Sequence, residues 1–422
     1  MNILALLIIG LGASIAPLDF SVNIAFPAIT QAFALDTQAI RWIPLSYVLT
    51  YGVLVIGFGA LGDRIGHLRV FRIGLMMGVV ALSLCALAPS YLWLVSARVL
   101  QGISMALTLS CAPALVTFLY DERARTRALS AYGTMTSIAS LIAPLAGGLS
   151  IALMGWPGVY WFRVPLALLA LAALPLIQKR LRHHPIHHAN LTSDATRNTP
   201  SDPSHTHKKT STVFLLVDIF KSSTQFVSIN VLSILVQMAS FTIPLLVPYY
   251  LSSVAQWGPA QSGLVLAIWA LGMLIGSALT TQVAGHLGTR RSAFCAGWLC
   301  VAGLCLTGLW SIEISLPLTF AAVFIHGAGL GLFQVSYSDW VVRTLPIQAR
   351  GVAGGLTVLT RTIGVVSAAL LWLWLLEHVR LDALEKGLAA NAAFLSGFHW
   401  ICWLSATLIS VALIASSFIR ER

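Results

Sequence analysis

The sequence predicts an all-α integral membrane protein, with twelve transmembrane helices in two six-helix bundles around a central cavity. Three observations predict it. Only 9% of the 422 residues are charged, and 58% belong to the set AVILMFWYC. An ordinary soluble domain has about 25% charged residues, so a soluble fold could not cover its surface with these. The apolar residues also fall in twelve runs, each near the ~20 residues a helix needs to cross a bilayer. Finally, the runs form two sets of six, separated by one long polar stretch.

In chain order the runs lie near 4–27, 40–61, 70–88, 91–119, 127–153 and 158–177, then 226–252, 260–284, 293–311, 317–340, 352–376 and 393–419. The first, MNILALLIIGLGASIAP, carries no basic n-region and is followed directly by Asp19. That predicts an uncleaved first span rather than a signal peptide. With the N-terminus in the cytoplasm, 19 of the 25 basic residues fall in inner loops and the tail. Three (Arg41, Arg380, Lys386) fall in outer loops, and three (Arg98, Arg163, Arg361) lie in spans or at their ends. This bias selects the orientation and places both termini inside. It also explains the formal net charge of +11 without a nucleic-acid partner. The expected location is the cell's inner (plasma) membrane.

The expected domains are an N-terminal bundle over 1–177, a linker over 178–223 and a C-terminal bundle over 224–422. The linker, with HHPIHH and TPSDPSHTHKK, has too few apolar residues to build a core and reads as a largely disordered cytoplasmic segment. Six of the eleven histidines lie in it, at His183, His184, His187, His188, His205 and His207. They read either as a metal-binding tract or as a solvated run that is rich in histidine. The form of a glycosylation sequon at Asn190-Leu191-Thr192 would go unused on that side. All six cysteines (Cys85, Cys111, Cys295, Cys300, Cys305, Cys402) fall inside apolar runs. They read as small core residues, not as a disulfide framework or a zinc site.

The two halves echo each other. GDRIGHLR, from Gly62, follows the second run, and GHLGTRRS, from Gly285, follows the eighth. Gly66 aligns with Gly288 and Arg69 with Arg291 at a shift of 222 residues. Such parallel repeats place a substrate site between the halves, near the membrane midplane.

Four stretches give the chain a resemblance to the major facilitator superfamily over essentially its whole length. LGDRIGHLR (61–69) looks like the family's loop motif between helices 2 and 3. RVLQGISMA (98–106) looks like its helix 4 motif, built on Arg, Gln and Gly. APLAGG (143–148) looks like the helix 5 motif of antiporters, with Ala139 and Ala143 where glycine is usual. LDFSVNIAFPAI (18–29) resembles the helix 1 signature of the drug:proton antiporters, in the branch that often has fourteen helices. SVAQWGPAQSGL (253–264) and GGLTVLTRTIG (354–364) point to the same branch, although its two extra central helices are absent here. The second loop has Gly285 where the family has an acid. The resemblance implies that helices 1 and 4 both line a central cavity.

Charges inside the spans single out candidate functional residues. A lone cation in hydrocarbon costs at least ~2.5 kcal/mol on insertion scales. Arg98 lies eight residues from the outer end of its helix near Ser90, about 12 Å at 1.5 Å per residue. Asp19 lies eight residues from the outer end of helix 1 near Pro27. The two charges share a depth and are expected to interact. Arginine stays protonated and is no proton carrier, so proton coupling is expected at Asp19, tuned by Arg98. A cationic cargo and a proton competing for this carboxylate would give exchange. The alternative is a structural pair joining two helices.

Asn23 and Gln101 are expected beside this pair in the substrate cavity, or as interhelical glue. Arg361, ten residues into helix 11, sits near the middle of a ~30 Å core, and is a second cavity candidate. His326, within HGAGLG, reads as a titrating cavity residue or as a buried structural histidine. Arg163 is expected at the outer interface, where a long side chain can snorkel. Asp339 and Arg343 are expected to pair. Phe26, Trp42, Tyr47, Tyr51, Phe241 and Tyr249 could line the cavity.

In the loop motif, Gly62, Asp63, Arg64, Gly66 and Arg69 are expected to form a gate. By resemblance, Asp63 faces the N-terminal end of helix 11. Pro144, with Gly147 and Gly148, is expected to break helix 5 and let a neighbour approach closely.

No GxxxxGK[ST] pattern occurs, so an ion gradient is the expected energy source. The leading expectation is a monomeric, cofactor-free transporter that exports a small amphipathic or cationic compound in exchange for protons. A facilitator or symporter for a polar metabolite is the first alternative. A non-transporting membrane sensor or an enzyme on the same scaffold is the second, though no acid, base and nucleophile cluster at one depth.

Overall fold

A computed structural model describes residues 3–36, 38–120, 122–181, 224–313, 315–345 and 353–419. The linker with its six histidines and sequon lies outside them, as do Arg350 and the C-terminal arginines. Every expected run is a helix, and no strand occurs among the described residues. The spans are numbered here α1 (Ile3–Ala32), α2 (Trp42–Ile65), α3 (His67–Ala86), α4 (Tyr91–Phe118), α5 (Glu122–Met154) and α6 (Gly158–Ile177). The second set is α7 (Thr224–Val254), α8 (Pro259–Leu287), α9 (Thr289–Thr307), α10 (Leu316–Thr344), α11 (Ala353–Glu385) and α12 (Ala390–Ser417). Ten are long and apolar enough to cross a membrane by themselves, and α2 qualifies as one span bent by 51°. The twelfth, α9, is diluted by Arg290 and Arg291 in its first turn.

Local chemistry sets the ends. Ser90 caps α4 by accepting from the Trp93 N–H at 3.3 Å. At α8, Pro259 occupies the first turn and Gln261 accepts from the Gly258 N–H at 2.8 Å. Proline is suited there because that turn has no intrahelical use for its N–H. The repeated loops are the same turn twice. Gly66 (φ +97°) and Gly288 (φ +80°) both stand between one helix and the next, in a region costly for any residue with a Cβ. The acid that the second loop lacks at Gly285 comes from α10, where Asp339 accepts from Thr289 Oγ1 at 2.6 Å and from its expected partner Arg343 at 2.9 Å.

Backbones approach closely wherever glycine removes a side chain. A Cβ on Gly331 would lie 2.0 Å from the Met273 carbonyl oxygen, and one on Gly276 2.0 Å from that of Ala328. These positions lock α8 onto α10. Such packing replaces the hydrophobic drive that lipid cannot supply between helices.

The bundles meet along α5 with α8, α2 with α11, and α1 with α7 and α8. The closest backbone contacts between them gather at one end of the molecule, while midway along α2 a Cβ on Gly52 would lie 3.1 Å from Thr362 Oγ1 of α11. A Cβ on Gly148 would sit 2.5 Å from the Pro259 carbonyl oxygen, and one on Gly263 2.5 Å from that of Pro144. Thr30 Oγ1 and Tyr249 Oη share a hydrogen bond of 2.7 Å between α1 and α7. At the other end, added carbons on Gly66, Gly285 and Gly288 would meet nothing within 4 Å. The two bundles are thus held together at the end opposite the Gly66 loop.

Gly263→Val is expected to unlatch the closed end. Overpacking costs about 1–3 kcal/mol, and ~1.4 kcal/mol is a tenfold shift of a two-state equilibrium. A cysteine placed at Asn23 should then react with a maleimide from that end about tenfold faster or more. An unchanged rate would show that the contact does not hold this end shut.

The expected break at Pro144 is absent. Helix α5 runs unbroken from Glu122 to Met154, and Pro144 instead presents its carbonyl to the face occupied by Gly263. The break falls in α1, where the α-helix stops at Ser14, a 3-10 turn covers Pro17–Ser21, and the α-helix resumes at Val22.

Candidate functional site

The break in α1 sets up the site. Pro17 opens the 3-10 turn, since a proline cannot donate to the preceding turn. Asp19 is thereby carried on a short, tightened segment, facing α4 and α6. Arg98 of α4 grips it on both oxygens, with Nη1 to Oδ1 at 2.7 Å and Nη2 to Oδ2 at 2.9 Å. This bidentate fork is among the strongest polar pairings available to side chains. Gln101, one turn along α4, donates Nε2 to Oδ1 at 2.8 Å and accepts from Arg98 Nη1 at 2.8 Å. Arg98 Nε donates to the Ile43 carbonyl at 3.1 Å, tying in α2, and its guanidinium lies 4.4 Å from the Tyr47 ring centroid.

Arg163 is the residue that sequence reasoning misplaced. It does not snorkel to the interface; it is fully buried and donates Nη1 to Asp19 Oδ1 at 2.6 Å. Its Nε donates to the Val159 carbonyl at 2.8 Å. The signal was available. Arg163 lies five residues into the sixth run, only a few ångströms shallower than Asp19 at 1.5 Å per residue. Its own side chain spans that difference. One carboxylate therefore sits between two guanidiniums on different helices, and an uncompensated positive charge remains.

In front of this cluster lies a cavity of about 470 Å³ lined by both bundles. Asp19, Asn23 and Arg98 reach its wall, as do Phe26, Tyr47, Tyr51 and Phe241, with Arg361 opposite on α11. Asn23 holds its own turn by donating Nδ2 to the Phe20 carbonyl at 3.1 Å. Phe20, next to Asp19, stacks on Trp269 of α8 with centroids 5.1 Å apart and planes 10° apart. This aromatic contact joins the two bundles at the cavity wall.

Other expected residues lie elsewhere. Gln101 is fully buried behind Asp19 and does not line the cavity, because its amide is used up by the two charges. His326 is also fully buried and off the wall, and its Nδ1 accepts from Trp269 Nε1 at 2.9 Å. It supports the tryptophan from behind. Trp42 is exposed on the outside with Arg41 over its ring, and Tyr249 is spent on Thr30. Asp63 is 76% exposed, and its Oδ1 lies 3.5 Å from His67 Nε2. The approach to α11 that it is expected to face, 346–352, lies outside those residues. Arg64 and Arg69 are exposed. Gly147 packs on Ser21, directly beside the break, where a Cβ would lie 2.6 Å from the Ser21 Cβ. Among the described residues no cluster of metal ligands occurs.

The sequence model of the Major Facilitator Superfamily matches residues 3–369 and again 229–422. The chain belongs to the major facilitator superfamily. It is 20% identical, over 99% of its length and 98% of the relative's, to the riboflavin transporter RibZ of Clostridioides difficile (strain 630). It is 24% identical to the multidrug resistance protein Stp of Mycobacterium tuberculosis (strain ATCC 25618 / H37Rv), over 86% of this chain and 74% of that one. The fold matches the crystal structure of the nucleoside transporter NupG with a TM-score of 0.77 at 12% identity, covering 100% of both chains. The protein is thus a multi-pass membrane transporter of this superfamily. Its cavity lies where the two bundles face each other.

Proposed function

We propose that the protein is a proton-coupled secondary transporter that exports a small amphipathic compound across the inner membrane by alternating access. The observation that carries the reading is the position of Asp19. Among the described residues it is the single acid on the wall of a cavity that both bundles line, and it sits in the break of α1. With both termini cytoplasmic, the closed end faces outward and the Gly66 loop faces the cytoplasm, and cargo enters past the Gly62–Arg69 loop, which acts as the gate. Gly148 serves closure at the other end, and Gly147 seats the break of α1 beside it.

Coupling acts through the shape of the wall. The carboxylate already accepts four hydrogen bonds across both oxygens, so a cationic cargo finds it occupied. A proton arriving on Asp19 must displace at least one of those donors. Arg98 and Arg163 anchor the Pro17–Ser21 turn to two different helices, and Phe20 and Asn23 extend from it into the cavity. Loosening an anchor moves the surface on which the cargo rests, so protonation and a well-fitted cargo exclude each other. Ligand and proton then bias one two-state element in opposite directions, as exchange requires. Asp19 and Arg98 carry the coupling, Arg163 positions Asp19, and Asn23 and Arg361 meet the cargo. Relatives named for multidrug resistance and for riboflavin support an aromatic, amphipathic cargo.

The test begins with a growth screen against toxic compounds, with and without the gene. The compound it yields is then followed in proteoliposomes beside a pH-sensitive dye. Exchange predicts cargo and protons crossing in opposite directions. Movement in the same direction would make the protein a symporter, and a flux indifferent to the pH gradient would remove the protons from the mechanism.

A further inference from the structure

The charges around the cavity do not balance. Asp19, Arg98 and Arg361 stand on its wall, and Arg163 lies buried against Asp19. Three guanidiniums against one carboxylate leave two positive charges. One is shared within the buried cluster. The other is Arg361, and it is exposed although it lies inside a membrane-spanning helix. No hydrogen bond or ion pair reaches its guanidinium among the described residues. A cation held at that depth carries a cost that evolution retains for a pathway or a ligand. The neighbouring wall is aromatic and neutral. Tyr51 shares that wall with Arg361, as do the stacked Phe20 and Trp269.

We propose that the cargo binds as an anion, an aromatic or otherwise apolar compound bearing a carboxylate, sulfonate or phosphate that Arg361 grips. The guanidinium fork fits the planar oxygens of such a group in bidentate fashion. The aromatic faces take the ring system, and the second uncompensated charge adds to the attraction without touching the ligand. A cationic compound would meet repulsion from Arg361 and no free acid. The inside-negative membrane potential would itself favour the export of an anion. An anion at Arg361 also draws a proton toward Asp19. Exchange therefore requires the displacement of the wall to outweigh that attraction, and the direction of proton movement in the flux assay reads which prevails.

This inference rests on the cavity being the transport site, and on neither the direction nor the coupling of transport. The experiment is equilibrium binding to the purified full-length protein in nanodiscs, followed by tryptophan quenching. The probes are 2-naphthoate, 2-naphthamide and 2-naphthylmethylammonium, which share a ring and differ in charge. Naphthoate should bind at least about tenfold more tightly than the ammonium, as one charge-assisted pairing allows. R361Q should abolish that preference and R361K should keep part of it. Thermal unfolding of R361Q should match the unaltered protein, because the side chain has no hydrogen bond or ion pair to lose among the described residues. An ammonium that binds as tightly as naphthoate would overturn the anion, as would a preference that survives R361Q. Failure of all three probes to bind would overturn the cavity as the binding site, and the anion with it.

Discussion

Asp19→Asn is expected to abolish pH-driven flux and to lower stability by about 3 kcal/mol, the lower end of what removal of one partner from a buried ion pair costs. The two effects have one cause. Asparagine keeps a carbonyl oxygen, which can still accept from Arg163 Nη1 or Gln101 Nε2. Its amide nitrogen, however, is a donor turned toward Arg98 Nη2, itself a donor. The fork that Arg98 now makes at 2.7 and 2.9 Å cannot re-form, and both guanidiniums remain buried without their counter-ion. The protein should still fold, because the apolar packing of α1 against α5 and α6 does not involve this carboxylate. Thermal melting in detergent measures the first effect, and flux under an imposed pH gradient the second. A variant that melts early but transports with an unchanged pH profile would make the cluster a structural joint and no more. Asp19→Glu is the companion variant. It restores the charge on a side chain one methylene too long for the tight 3-10 turn, so stability should recover further than transport.

Much of this fold was legible because its determinants are one-dimensional. The length of an apolar run, and the sign of the loops that flank it, are set by a slab of fixed thickness. All twelve runs became helices, eleven of them within about five residues of the expected bounds, while α11 runs on to Glu385, nine residues past its expected end. The pairing of Asp19 with Arg98 was legible for a related reason. Equal distance from a common interface puts two charges at one depth, and a charge in hydrocarbon must find a partner. Arg163 was misplaced because closeness to a helix end suggested snorkelling. That reasoning ignored that Asp19, only slightly deeper, offered a better partner than the interface did. The inward-pointing face of each helix was less legible. Gln101 and Arg98 are three residues apart on α4, yet one is sealed behind Asp19 and the other reaches the cavity wall. Helical rotation is fixed by neighbours that one sequence does not display. Pro144 taught the same lesson. Its missing donor predicts a break, yet α5 runs on through it as one helix, and the nearby Gly148 and Gly263 hold α8 against it.

The unequal bonding of the two arginines leads to the second large effect. Arg98→Met should cost about 3–5 kcal/mol, as the loss of one partner of a buried pair does, whereas Arg163→Met should cost about 1 kcal/mol, the worth of one ordinary hydrogen bond. Arg98 joins three elements. It meets both oxygens of Asp19, the Ile43 carbonyl of α2 and the Gln101 amide, and it packs on Tyr47. Removing it strands Asp19 Oδ2 and takes the charged donor from the Gln101 carbonyl. Arg163 gives Asp19 a single bond, spends Nε within its own helix, and leaves Nη2 without a partner among the described residues. Removing it leaves a neutral, bidentate Asp19–Arg98 pair and takes away a buried charge that nothing opposes, so the lost bond is partly offset. The double variant should cost more than the sum, because it isolates a buried carboxylate, and contacting residues of this kind are not additive. Melting curves of the two single variants and the double variant test the ranking directly. Equal losses for Arg98→Met and Arg163→Met would mean that the two guanidiniums share Asp19 evenly. The coupling would then have to be redrawn around both.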